Sequence, residues 1–100
     1  MAVDHGASLE DLSDKMLLPT LIARRWRERN GFTELVITST KNGRHAAGSK
    51  HYTGLAFDVR TRDLTYKQKK DYFNFLKRYL TKYYAVYLES DHIHIQYNGT

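Results

Sequence analysis

Apolar residues recur along this chain at helical and at strand spacing, and the switches between the two lay out its elements. Residues 19–30 read as a helix, with Leu18, Leu21, Ile22 and Trp26 at helical intervals, Pro19 suited to a first turn and Gly31 a natural stop. Residues 34–39 are short and β-branched, hence a strand. Residues 40–50 hold Asn42-Gly43 and Gly48-Ser49 among polar neighbours and predict a loop. Residues 55–60 alternate as Leu, Ala, Phe, Asp, Val and Arg, the pattern of a second strand.

Thr65 then caps the clearest helix. Tyr72, Phe73, Leu76, Tyr79, Leu80 and Tyr83 form one apolar stripe, expected in the core, opposite Lys67, Lys70, Lys77, Arg78 and Lys82. Residues 84–88 and 93–97 are β-rich runs across a short polar turn and predict a terminal hairpin. Residues 1–15 are polar and weakly patterned, an expectation of poor order, with Ser8 a weak cap for one helical turn. The order implies an α+β fold, a small antiparallel sheet with helices packed on one face.

Composition narrows the class without changing that outline. The 100 residues are 41% hydrophobic and 13% aromatic, the make-up of one globular domain spanning 1–100. Cysteine is absent, which removes disulfides and thiolate metal sites. No apolar run reaches the roughly 20 residues needed to span a bilayer. The first residues lack a basic segment followed by an apolar run, so no secretory signal is expected. The net charge of +5 favours anionic partners in general. Its basic residues fall at helical spacing without a stacking motif, so a solvated surface is expected rather than a nucleic-acid groove.

The chemistry concentrates in two short segments. One runs from Ser49 through His51 to Asp58, and the other from Glu89 through Asp91 and His92 to His94. His92 and His94 are two apart on an expected strand and therefore share a face. Glu89 and His92 would stand opposite each other across a two-residue turn. Gly54 and Ala56 are small enough to let a substrate or metal approach the backbone. Imidazole and carboxylate suit Zn²⁺, and three such ligands leave a fourth position for water, which zinc acidifies toward neutral pH. By itself, a His-x-His on a strand is more often a surface or core pair than a metal site. Tyr52 and Tyr87 read as packing residues.

Taken together, Ser49-x-His51-x-x-Gly54-x-Ala56-x-Asp58 and Asp91-His-Ile-His94 resemble the signature of zinc peptidases that cut peptidoglycan stem peptides. That family includes D-alanyl-D-alanine carboxypeptidases and phage L-alanyl-D-glutamate endopeptidases, and shares its fold with the hedgehog signalling domain. The resemblance spans residues 35–95 and implies His51, Asp58 and His94 as zinc ligands. It makes Asp91 the catalytic base and His92 an auxiliary catalytic histidine, with Glu89 the rival base by analogy with hedgehog domains. Ser49, Arg44 and His45 would contact substrate. The family's Ser-Gly-Tyr-Arg pattern is replaced here by Ser39-Thr-Lys-Asn-Gly-Arg44, which leaves substrate carboxylate binding open between Lys41 and Arg44. The implied protein is a monomeric, phage-type zinc peptidase, made in the bacterial cytoplasm and acting on wall stem peptides. The alternative is a non-catalytic zinc-containing binding module on a hedgehog-like scaffold, which needs the ligands but no base.

Overall fold

The computed structural model describes residues 2–3, 7–32, 34–40 and 49–99, apart from the side chains of Ala2 and Tyr52. Its strands are β1 (Ala2–Val3), β2 (Val36–Ser39), β3 (Ala56–Arg60), β4 (Tyr84–Leu88) and β5 (His92–Tyr97). They form one sheet in the order β1-β2-β3-β5-β4. Every pairing from β2 to β4 is antiparallel, as the sequence predicts, while β1 adds to the edge in parallel. With helices α1 (Leu17–Arg29) and α2 (Tyr66–Tyr79), the fold is α+β.

Strand alternation gives this sheet two different faces. Ile37, Val59 and Ile93 align across β2, β3 and β5, and Phe57, Ile95 and Val86 align across β3, β5 and β4. These residues are buried in one hydrophobic cluster with Trp26, Tyr72 and Leu76 from the helices. The opposite face carries Asp58, His94 and Tyr87 in one cross-strand row, with Arg60 and His92 in the next. Apolar and chemical residues are thus sorted by parity along the same strands.

α1 faces the core through Thr20, Ala23, Trp26 and Arg27, whereas Leu18 and Leu21, expected on the buried stripe, are about half exposed at 46% and 50%. Trp26 sets this rotation. Its indole N–H donates to Asp71 at 2.9 Å, and its ring stacks on Tyr72 at 4.3 Å and on Phe32 at 5.4 Å. Arg27, buried beside it, pairs with Asp63. Polar anchors therefore override the spacing of the leucines.

α2 begins with a complete capping box. The Gln68 N–H donates to Thr65 Oγ1 at 3.2 Å, and the Thr65 N–H donates to Gln68 Oε1 at 2.8 Å. Tyr72 and Leu76 are buried as expected. Tyr79 and Tyr83 are exposed, which corrects the longer stripe. The helix ends at Tyr79, and Leu80 is already extended at φ −91° and ψ 140°, so Tyr83 falls out of helical phase.

The N-terminal segment is more structured than its weak pattern suggests. Short 3-10 turns span Leu9–Asp11 and Asp14–Met16, capped by Ser8 and Ser13. They are tied to distant parts of the chain: the Ser13 N–H donates to Gly54 O at 2.8 Å, and the Ser8 N–H to Thr40 Oγ1 at 3.0 Å. Among the described residues, no helix is long and apolar enough to cross a membrane.

Candidate metal centre

His51, Asp58 and His94 converge on the sheet face turned away from the helices. β3 and β5 set Asp58 and His94 directly opposite each other. His51 arrives from a separate element, the 3-10 turn Lys50–Thr53. Ser49 caps that turn, its hydroxyl accepting the His51 N–H at 3.2 Å. Gly54 closes it in the left-handed region at φ 74°. A Cβ at Gly54 would stand 2.4 Å from the Asp11 carbonyl oxygen. The small residue expected to admit a ligand instead admits the chain's own Leu9–Asp11 turn.

Three ligand atoms form a near-equilateral triangle. His51 Nε2 lies 3.1 Å from His94 Nδ1 and 3.2 Å from Asp58 Oδ1, and His94 Nδ1 lies 3.1 Å from Asp58 Oδ1. Their outer partners assign the tautomers. His51 Nδ1 is 2.7 Å from the Thr40 carbonyl, which can only accept, so this nitrogen carries the proton. His94 Nε2 is 2.8 Å from Gln96 Oε1, and the Gln96 amide donates in turn to Asn98 Oδ1 at 2.6 Å. His94 Nε2 therefore carries the second proton. Each imidazole then turns a lone pair inward against the Asp58 carboxylate, an arrangement that could hold a cation at its centre.

Without an ion, protons on the inward nitrogens can take its place and hydrogen-bond Asp58. Burial pushes the Asp58 carboxyl up, but contacts with His51 and His94 and the attraction of His51 and His92 together outweigh it, holding the group well below the ordinary carboxylate range. Burial pushes the His94 imidazole down, yet Asp58 and Gln96 as hydrogen-bond partners, with the charges of Asp58 and Glu89, leave it raised. The centre is thus a fixed negative charge flanked by nitrogen bases. Among the described residues, this trio is the one cluster of metal-ligating side chains able to hold an ion.

The other expected site residues divide. His92 Nε2 is 3.8 Å from Asp58 Oδ2, and His92 Nδ1 is 2.8 Å from Asp91 Oδ1, so Asp91 meets the centre through His92. Asp91 is exposed and lies below the ordinary carboxylate range, chiefly through its hydrogen bond to His92, with burial opposing weakly and His92 and Lys69 attracting. Glu89 is exposed opposite His92, its N–H donating to the His92 carbonyl at 3.0 Å. Ser49, expected against substrate, caps the His51 turn. Lys41, Arg44 and His45 lie outside the described residues.

Three contributors escaped the sequence reading. Thr40 is buried and orients His51 through its carbonyl. Gln96 orients His94, and its position two residues along the same strand is a signal the alternation rule could have used. Tyr87, read as a packing residue, is 49% exposed with its ring centroid 5.7 Å from that of His94. No family model matches the chain, nor does a curated protein or a solved structure at a significant level.

Proposed function

We propose that this protein is a zinc-dependent peptidase hydrolysing peptide bonds of bacterial peptidoglycan stem peptides. The observation that carries the reading is the triangle of inward lone pairs, with edges of 3.1 to 3.2 Å. A tetrahedral ion about 2.0–2.1 Å from each ligand sets neighbouring ligand atoms about 3.3 Å apart, so His51, Asp58 and His94 fit zinc with little adjustment. The substrate class follows from the resemblance of the two motifs, and from one further feature. A purely structural ion needs no acid–base pair beside it, yet Asp91 and His92 stand there.

When bound, zinc supplies a Lewis acid that activates water and polarises a carbonyl at neutral pH. The chain's own residues handle the proton. Asp91 is held below the ordinary carboxylate range, which makes it a poorer base than an unperturbed aspartate. It serves better by accepting the Nδ1–H of His92, leaving His92 Nε2 facing the centre to take the proton and return it to the departing amine. This assigns His92 the transfer that the motif alone gives to Asp91, and makes Asp91 its positioning residue.

The test is digestion of purified peptidoglycan by the zinc-loaded protein, with the products identified by mass. His92→Ala, which removes the proton-transfer group, is expected to keep zinc and to lose about 10²–10⁴-fold in hydrolysis. Glu89→Ala is expected to retain activity, and the reverse outcome would transfer the role to Glu89. Zinc binding with no released peptide would overturn the peptidase reading in favour of a binding module.

A further inference from the structure

The geometry points to Tyr87 as an aromatic platform for the substrate residue beside the scissile bond, on the β4 side of the metal centre. This inference rests on the peptidase reading, but its observations are independent of the metal ligands. Tyr84, Val86 and Leu88 belong to the core cluster or pack against it, so alternation along β4 turns Tyr87 and Ala85 to the other face. Register places Tyr87 directly opposite His94, which is itself opposite Asp58. The ring therefore continues the row of ligands toward the sheet edge. In the adjacent row the half-buried Ala85 lies two residues from Tyr87 on the same face, and its short side chain leaves space beside the ring.

Exposure alone would mean little in a chain with eight tyrosines. Among the described residues, the other exposed tyrosines each face a cation: Tyr66 lies under Lys70, Tyr79 under Arg78 and Tyr83 under Lys82. Tyr87 differs. Its ring contact is the imidazole of His94, at 5.7 Å and tilted by 43°. An aromatic ring left half open against a metal-ligand imidazole is placed to receive an apolar group from a bound peptide. The space over Ala85 suits a small aliphatic side chain, such as the methyl of an alanyl residue, lying against the ring. The platform acts by contact, so the ring matters and the phenol hydroxyl does not.

The experiment compares wild type, Tyr87→Phe and Tyr87→Ala, all zinc-loaded, on a soluble stem peptide containing alanyl residues, with zinc affinity measured on each. Tyr87→Phe should match wild type in KM and kcat. Tyr87→Ala should raise KM about tenfold, the loss of one aromatic contact, with kcat and zinc affinity preserved. An unchanged KM in Tyr87→Ala, or a kcat loss in Tyr87→Phe, would overturn the platform while leaving the peptidase standing. A wild-type protein that binds zinc but neither binds nor cleaves the peptide would remove both. A fall in zinc affinity in Tyr87→Ala would recast the residue as a support for His94 and overturn the inference as well.

Discussion

At the scale of single residues, the candidate centre depends on groups beyond its three converging side chains. The Thr40 carbonyl and the Gln96 amide oxygen each hold one ring proton and so decide which nitrogen faces inward. Without Gln96, His94 can take the other tautomer or rotate its ring. Gln96→Leu is therefore expected to weaken zinc binding about 10–100-fold, the usual scale for loss of such an outer partner. Zinc competition with a chromophoric chelator measures it, and unchanged affinity would show that β5 alone positions the imidazole. The three candidate side chains could be singled out in the sequence because imidazole and carboxylate are metal-binding groups. Thr40 could not, because it acts through a backbone carbonyl that every residue possesses.

At the scale of elements, the same contrast recurs. The terminal hairpin and α2 were readable because their signals are local: alternation, a short polar turn and a capping box. The rotation of α1 was not, because Asp71 and Asp63 hold Trp26 and Arg27 from distant segments. The N-terminal turns were hidden for a related reason, since their partners are Gly54 and Thr40. Gly54 joins these two halves of the argument. It closes the His51 turn at positive φ and lies against the Asp11 carbonyl, so a methyl group there meets both strain and a clash. Gly54→Ala is expected to cost at least about 1–2 kcal/mol from the left-handed backbone alone, with the close approach adding to it. Urea unfolding measures the stability, and zinc titration should show affinity falling with it as His51 shifts. A stable variant with normal zinc affinity would mean that the Leu9–Asp11 turn yields without moving the ligand.

At the scale of the whole molecule, the zinc reading predicts that folding stability depends on pH in opposite senses with and without metal. Asp58 is depressed in the folded state, so its contribution is present above the unfolded carboxylate value of about 3.9 and is lost only as pH falls through its lower folded value. His94 is raised, so its contribution is complete below about 6.5 and is lost as pH rises through its folded value. The metal-free protein should therefore lose stability on going from about pH 5.5 to about pH 8 through this centre. Bound zinc is expected to reverse the slope. The ion needs both imidazoles unprotonated on their inward nitrogens, so protons compete with it, and its stabilisation grows as pH rises over the same interval. Urea midpoints measured with a chelator and with excess zinc should thus lie close together in mild acid and separate above neutrality. Parallel curves across that range would mean that the inward lone pairs do not bind the ion, and the zinc reading would fall with them.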